Sequence, residues 1–237
     1  MSFSSAGSSS AGTPDGSHHS SADQPATIEY RHEVVRKAIH LFSLSIPTVY
    51  YFITKEQALW ILGPALAAFF VTDVARHYIP SIGQWFYQTF GWLLRRHEQD
   101  GKKKRLNGAT YVLISAVLCV LMFPKIITVT AFAILIISDT TSALVGRKYG
   151  KKPFFRKSRE GSAAFLVSAI LVVLVSPKID GQAIEYYIGF AGATVGALVE
   201  SLSGRIDDNL TIPVSIGAVM WALYALLLPT MDVYSLG

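Results

Sequence analysis

The chain alternates between long apolar blocks and short polar stretches. The blocks are apolar on every face, whereas a helix in a soluble core needs only one apolar stripe. Each block is close to the length that crosses a hydrocarbon layer of roughly 30 Å at about 1.5 Å per residue. The pattern therefore predicts an all-α, polytopic membrane bundle of about seven transmembrane helices, at about 38–54, 57–75, 107–124, 126–146, 161–177, 184–203 and 209–228.

Two segments depart from this pattern. Residues 1–26 are low-complexity Ser, Gly, Ala and Pro, and they predict a disordered tail ahead of a single transmembrane domain over 27–237. From Ile82 to Arg96, apolar residues recur at helical spacing with polar residues off the stripe, which predicts an amphipathic helix lying in the membrane interface. Pro47 and Pro64 fall inside the first two spans and are expected to kink them.

Composition supports a membrane protein. Charged residues make up 16% of the chain, against about 25% in soluble domains. The one cysteine, Cys119, lies inside an apolar block, which excludes a disulfide scaffold.

The basic residues predict an orientation. All 21 except Lys55, Lys125 and Lys178 fall on one face of the predicted bundle, which places the N-terminus in the cytosol and the C-terminus on the opposite side. The net charge of +5 then reflects topology and attraction to the bilayer surface, and we predict no nucleic acid partner.

Acidic residues within or beside the spans gather on the same face: Asp73, Asp139, Glu160, Glu200, Asp207 and Asp208. Charges at such positions are costly and mark functional sites, so a polar site is expected at the cytosolic end of the bundle. Asp73 and Arg76, three residues apart, are expected to pair on a helix surface. Acids on the other face, such as Glu185, are expected in water-accessible loops.

The stretch from Asp139 to Gly161 combines features of a phosphate site. Gly146 and Gly150 predict a loop whose backbone can approach a ligand, and Ser158 predicts a helix N-cap. A carboxylate near many cations suits a polyphosphate with its divalent metal, the cations being Arg147, Lys148, Lys151, Lys152, Arg156, Lys157 and Arg159. A plain cytosolic loop before a capped helix is the alternative interpretation. The sequence contains no P-loop, dinucleotide or zinc motif.

Two stretches resemble signatures of the CTP-dependent lipid kinase family, which includes dolichol and polyprenol kinases, phytol kinase and CTP-using diacylglycerol kinase. The first reads Asp139-Thr140-x-Ser142-Ala143-x-x-Gly146-Arg147-x-x-Gly150-Lys151, then Lys157-Ser158-x-Glu160-Gly161-Ser162. The second reads Glu200-Ser201-Leu202, then Asp207-Asp208-Asn209-Leu210-Thr211-Ile212-Pro213. Arg36-Lys37-x-x-His40 is similar to a further family motif, and Asn107-Gly108-Ala109-Thr110-Tyr111 has a looser counterpart.

The resemblance implies a membrane enzyme that transfers the γ-phosphate of CTP to the hydroxyl of an isoprenoid alcohol or diacylglycerol at the cytosolic face. On this hypothesis the catalytic residues are Asp139, Lys157, Glu160 and Asp208, with Asp139 or Asp208 accepting the hydroxyl proton. Mg²⁺ ligands would come from Asp139, Glu200, Asp207 and Asp208. The nucleotide would be bound by Gly146, Arg147, Lys148, Gly150, Lys151, Lys152, Ser158, Gly161 and Asn209.

Two alternatives stay open. Phosphatidate cytidylyltransferases share a similar Gly-x-x-x-Gly-Lys and Lys-[Ser/Thr]-x-Glu-Gly segment, but their Pro-Gly-His-Gly-Gly run has no counterpart here, since no histidine follows His97. A small transporter would carry polar groups near the middle of the bilayer or on both sides, and often an internal repeat. Neither feature is evident in the sequence.

Overall fold

The computed structural model describes residues 34–91, 106–203 and 207–234. The predicted tail over 1–26, the basic run Lys102–Arg105 and residues 92–96 of the predicted interfacial helix lie outside these ranges. Within them the fold is all-α apart from one small hairpin, as the apolar blocks predicted.

In the described part of the chain, eight helices and two short strands follow a helical segment over 34–42. Every predicted span coincides with helix, although the bounds shift by a few residues. The elements are α1 (Ser45–Phe52), α2 (Lys55–Ala75), α3 (Pro80–Phe90), α4 (Gly108–Met122), α5 (Lys125–Tyr149), β1 (Pro153–Phe154), β2 (Lys157–Ser158), α6 (Arg159–Val175), α7 (Ala183–Leu202) and α8 (Asp208–Leu227).

The first predicted span is interrupted. Between the helical segment and α1, the backbone amides of Ser43 and Leu44 donate to the carbonyls three residues earlier. Pro47 follows within one turn and has no amide to donate to the carbonyl of Ser43. The break therefore lies where the proline removes a helical hydrogen bond.

Helix α5 forms the centre of the bundle. Buried residues make up 13 of its 25 positions, including Phe132, Ile134 and Leu135. Helices α1, α6 and α8 pack directly on it, and α7 closes the bundle by packing between α6 and α8. Burial on this scale fixes the second half of α5, where Asp139 and Ser142 are buried in the interior.

Helices α2 and α4 form a second packed pair. Thr54 and Gln57 make a capping box at the start of α2, and Asn107 caps α4 by accepting a hydrogen bond from the amide of Thr110 at 2.9 Å. These caps satisfy amides that have no partner within the helix.

A two-stranded antiparallel hairpin, β1 and β2, connects α5 to α6. Pro153 pairs with Ser158 and Phe154 with Lys157, and at the turn Phe155 takes a left-handed conformation with a φ of 49°. The sequence pattern did not predict this hairpin, because two strands of two residues carry no periodicity.

Among the residues that the structure describes, three helices, α2, α5 and α8, are long and apolar enough to cross a membrane. The total of seven spans stays a prediction, as does the orientation. Lys55 and Lys125 are the first residues of α2 and α5, and Lys178 follows the end of α6.

Candidate functional site

Glu200, near the end of α7, is the centre of a buried polar cluster. Its side chain is 1% exposed. Ser142 of α5 donates a hydrogen bond to one carboxylate oxygen at 2.7 Å, and Ser162 of α6 donates to the other at 3.4 Å. Since charged groups are buried only when they have partners, this carboxylate ties α5, α6 and α7 together at one end of the bundle.

Lys157, carried by β2, places a cation between two carboxylates. Its ammonium lies 3.3 Å from Glu200 and 3.6 Å from Asp208. Burial opposes the charge on this lysine, but the nearby carboxylates of Asp208, Glu200 and Asp139 outweigh that effect and raise the pKa of Lys157. The lysine is therefore held as a cation inside the cluster.

Asp139 of α5 is paired with a residue from the N-terminal helical segment. The ammonium of Lys37 donates to its carboxylate, and the ring of His40 lies 3.7 Å from the same oxygen. Lys37 and Asp139 are both buried. The pair connects the helical segment over 34–42 to the core helix.

Close packing of glycines brings α5 against the start of α6. A Cβ added to Gly146 would lie 3.0 Å from the hydroxyl oxygen of Ser158, and one added to Gly161 would lie 3.2 Å from the Cα of Gly146. Gly146 lies within the last turns of α5, so the predicted glycine-bracketed loop is wrong at this position. The prediction for Ser158 is confirmed: it is the N-cap of α6 and accepts from the amide of Gly161 at 3.1 Å.

Most of these groups, though not Ser162 or His40, line a polar cavity of about 330 Å³. Residues predicted for the site that line it are Asp139, Gly146, Arg147, Lys157, Ser158, Gly161, Glu200 and Asp208. Predicted residues that do not line it are Lys148, Gly150, Lys151, Lys152, Glu160, Asp207 and Asn209. The structure thus brings both signature stretches to one cavity, although they are far apart in sequence.

The predicted residues outside the polar cavity have local roles. Glu160 accepts a hydrogen bond from the amide of Lys151 at 3.2 Å, which ties the hairpin to α6. Asp207 caps α8 by accepting from the amide of Asn209 at 3.0 Å, and it also accepts from the side-chain amide of Asn209 at 2.7 Å. Lys148 and Lys152 are exposed beside the cavity.

A second, mostly apolar cavity of about 480 Å³ adjoins the first. It lies among the helical segment over 34–42, α2, α3 and α4. Arg36, Lys37 and Asp139 line both cavities, and Asn209 lines the apolar one. The two spaces therefore meet at Asp139.

Four residues of the polar cavity were absent from the predicted site set. Ser142 and Ala143 belong to the first signature stretch, whereas Arg36 and Lys37 come from the N-terminal helical segment. The signal for the latter two was the Arg36-Lys37-x-x-His40 motif, which pointed to the segment but not to its contact with a helix about a hundred residues later. Only the folded structure reveals that Lys37 reaches Asp139.

Two other buried acids correct the expectations drawn from sequence. Asp73 and Arg76 pair at 2.6 Å as predicted, but both are buried. Asp73 also accepts from the amide of Asn107 at 2.6 Å and from the hydroxyl of Thr110 at 3.0 Å. The surface pair is therefore an internal link between α2 and α4.

Glu185, expected in a water-accessible loop, is fully buried. It accepts from the amides of Ile179, Asp180 and Gln182 and from the hydroxyl of Tyr224 at 3.0 Å. The prediction failed because the loop after α6 folds around this carboxylate.

The metal hypothesis depends on the same carboxylates. Across the described ranges, no group of three or more His, Cys, Asp or Glu side chains is arranged to hold a metal ion by itself. Mg²⁺ in nucleotide sites is usually held by one or two carboxylates together with substrate phosphates. Glu200 and Asp208, which share Lys157 in the polar cavity, have the chemistry for that kind of site.

The chain is similar to several curated proteins. It is 29% identical to the CTP-dependent diacylglycerol kinase 1 of Saccharomyces cerevisiae over 211 residues, covering 78% of this chain and 71% of that protein. Identity is 28% to the protein of the same name from Schizosaccharomyces pombe, covering 81% of this chain and 94% of the relative. A phytol kinase of Synechocystis is 32% identical over 90 residues, covering 35% of this chain and 39% of that protein.

No family model matches the chain. No solved structure matches it either.

Proposed function

Since the chain is a relative of the CTP-dependent lipid kinases, as its two signature stretches predicted, we propose that it is an integral membrane kinase that transfers the γ-phosphate of CTP to a lipid hydroxyl. Diacylglycerol is the first acceptor to test, because the relatives that match about four fifths of the chain are named diacylglycerol kinases. An isoprenoid alcohol is the second, supported by the partial match to a phytol kinase.

The observation that carries the proposal is the meeting of two unlike cavities at Asp139. The polar cavity offers cations and carboxylates, and the apolar cavity offers hydrocarbon surface. A lipid kinase must bring a water-soluble triphosphate and a lipid hydroxyl to the same point. Phosphoryl transfer depends mainly on such positioning and on neutralising charge.

In the proposed complex, cations of the polar cavity neutralise the triphosphate. Lys157 is inside the cluster, and Arg36 and Arg147 line the same space. The exposed Lys148, Lys151 and Lys152 lie next to it and would attract the anionic nucleotide from the cytosol.

Mg²⁺ would accompany the nucleotide, held by Asp208 and Glu200 with Asp139 as a further candidate ligand. When bound, it would supply positive charge against the β- and γ-phosphates. Asp207 is a weaker candidate than the sequence indicated, because its carboxylate caps α8.

In the proposed chemical step, Asp139 acts as the base. The lipid hydroxyl oxygen forms a bond to the γ-phosphorus, the bond from that phosphorus to the β,γ-bridging oxygen breaks, and CDP leaves with the electron pair. The hydroxyl proton passes to Asp139, our candidate base, which lies on both cavities. Lys37 holds that carboxylate in place. The products are CDP and a lipid monophosphate.

The transporter alternative has less support. A transport path needs polar groups along the bundle. Glu185, the buried acid at the far end of α7, is occupied by amides of its own loop and by Tyr224. It caps a loop and does not line either cavity.

One assay tests the proposal. Purified protein in nanodiscs receives CTP labelled at the γ- or the α-phosphate, with dioleoylglycerol, phytol, a polyprenol or phosphatidate. We expect γ-label in the lipid, α-label only in the nucleotide, and equal amounts of CDP and lipid phosphate. Transfer of α-label to phosphatidate with release of pyrophosphate would identify a cytidylyltransferase, and absence of labelled lipid would contradict both enzymes.

Asp139→Asn is the matched variant for this assay. Its side chain keeps the shape of the carboxylate but cannot accept the proton, and general-base catalysis typically contributes about 10²–10⁴-fold. We expect labelled lipid to fall by at least that lower factor in a folded preparation. Wild-type turnover in Asp139→Asn would contradict the assignment.

A further inference from the structure

The apolar cavity has the size of a ligand site. Its volume of about 480 Å³ falls within the range of about 300–1,000 Å³ for small-molecule pockets. Phe69 of α2, Trp85, Phe86 and Phe90 of α3, and Val112 of α4 form its apolar wall. A cavity of this size takes the reacting end of a lipid and leaves most of the chains outside.

The rim of the cavity is apolar and open. Ile39 is 50% exposed, Phe69 48% and Trp85 53%. Helix α2, which carries Phe69, is one of the helices apolar enough to cross a membrane. In a bilayer this rim faces hydrocarbon, so a lipid can enter sideways without passing through water.

The lining of the cavity also contains polar residues. Ser43, Thr72 and Asn107 bring hydroxyls and an amide to its wall, in addition to His40 and the shared Asp139. An isoprenoid alcohol has only one polar atom and would leave such groups against hydrocarbon, which is costly. The ester oxygens of a diacylglycerol can accept hydrogen bonds from them.

A buried polar cluster holds the cavity in shape. Asp73 joins α2 to the start of α4 through Asn107 and Thr110. Its partner Arg76 places its guanidinium 4.6 Å from the centre of the Phe86 ring, which fixes α3 over the opening. The cavity is therefore built by specific contacts between three helices.

We propose that this cavity is the acceptor site and that its occupant is the glycerol end of a diacylglycerol, an inference that rests on the function proposed above. The hydroxyl lies toward Asp139, the esters lie against the polar groups of the wall, and the acyl chains leave past Phe69 and Trp85 into the bilayer. Ala68 and Ala109 are small residues on the wall, so larger side chains at these positions would reduce the volume available to the lipid.

Ala68 and its neighbour provide a matched pair of variants. Ala67 and Ala68 are adjacent on α2 and both exposed, but only Ala68 lines the cavity. Ala68→Phe fills the space, whereas Ala67→Phe adds the same side chain outside it. The probe is a diacylglycerol with a photoreactive acyl chain, incubated with full-length protein in nanodiscs and analysed by peptide mapping.

We expect the probe to label peptides of α2 and α3 in the wild type and in Ala67→Phe. In Ala68→Phe labelling falls at least tenfold, and the KM for dioleoylglycerol rises by a similar factor with the KM for CTP unchanged. Dioleoylglycerol competes with the probe better than phytol does. If Ala68→Phe fails to fold, as judged by its thermal transition, Ala109→Leu fills the cavity from α4.

Labelling that is equal in the two alanine variants, or concentrated away from α2–α4, would overturn the acceptor site. Better competition by phytol would overturn the choice of diacylglycerol. Because photolabelling needs no turnover, these results are independent of whether phosphate is transferred. A protein that binds the probe in this cavity but labels no lipid from CTP would count against the proposed function alone.

Discussion

Glu185 and Glu200 lie near opposite ends of α7, about 22 Å apart along the helix at 1.5 Å per residue. Both are buried, yet their surroundings differ. Glu185 accepts hydrogen bonds from three backbone amides and a tyrosine, and lines neither cavity. Glu200 accepts from two serines, pairs with a lysine from another element and borders the polar cavity.

The partners of each carboxylate distinguish a structural acid from a functional candidate. A carboxylate surrounded by amides of its own loop has no room for a ligand. Its role is to hold that loop in place. A carboxylate whose partners are side chains facing a cavity can exchange them for a metal ion or for a donor group of a ligand. Burial alone would have ranked the two residues equally.

The largest effect is expected for Glu200→Gln. The substitution keeps the shape but removes a charge that positions Lys157 and is a candidate Mg²⁺ ligand. Removing one electrostatic contact to a transition state typically costs about 10²–10³-fold in kcat. Label transfer from γ-labelled CTP measures it, with Glu185→Gln as the control. If Glu200→Gln is no slower than Glu185→Gln, the assignment of Glu200 as the functional acid is contradicted.

Lys157→Gln is expected to lower kcat/KM by about 10²-fold, since it removes a cation next to the phosphates. The raised pKa of Lys157 also makes a prediction about pH. A group with a raised pKa stays charged below its ordinary value, near 10.5, and loses its contribution only as pH rises through the higher folded value.

The pH profile of the wild-type kcat/KM should therefore show no fall caused by deprotonation of Lys157 between neutral pH and about pH 10. Lys157→Gln should be slower throughout that range, with the same alkaline shape. An alkaline limb well below the ordinary lysine pKa, present in the wild type and absent from Lys157→Gln, would contradict the assignment of Lys157 as a stable cation.

Glu185→Gln is expected to affect stability more than catalysis. The glutamine can accept fewer hydrogen bonds from the loop amides, and a buried donor left without its partner costs about 1–3 kcal/mol. Thermal unfolding in detergent should show a lower midpoint for Glu185→Gln than for Glu200→Gln. Turnover per folded molecule should remain within a few-fold of wild type. A lower midpoint for Glu200→Gln than for Glu185→Gln would contradict the assignment of Glu185 as the structural acid.

A smaller loss of turnover than that of Glu200→Gln is expected for Ser142→Ala, which removes one hydrogen bond to Glu200. A hydrogen bond to a charged group is worth about 1.5–3 kcal/mol, so kcat should fall by about 10- to 100-fold. Ser168→Ala is the matched control, because the Ser168 hydroxyl bonds only carbonyls of its own helix among its described contacts. Equal kcat values for Ser142→Ala and Ser168→Ala would show that the hydroxyl of Ser142 does not contribute to turnover.

Much of the fold was predictable from apolar blocks, because long helices repeat the same signal over many residues. Capping residues were also informative: Ser158 was predicted as a helix N-cap and is one. The hairpin carrying Lys157 was not predictable, since its strands are two residues long.

The site was only partly predictable for a different reason. Asp139, Glu200 and Asp208 could be named because they are acids within or beside predicted spans and also belong to the signature stretches, and they do line one cavity. The contact of Lys37 with Asp139 joins segments far apart in sequence, and no local pattern specifies it. The same is true of Glu185, whose burial depends on how a loop closes over it.

The most direct test asks whether CTP occupies the polar cavity. The native Cys119 is buried, so a cysteine introduced by Ala143→Cys, on the cavity wall, can be labelled selectively with a maleimide. Tyr149→Cys, exposed at the end of α5 and outside the cavity, is the control. The account predicts that CTP with Mg²⁺ slows labelling of Ala143→Cys at least tenfold and leaves Tyr149→Cys unchanged. Equal labelling of Ala143→Cys with and without saturating CTP would contradict it.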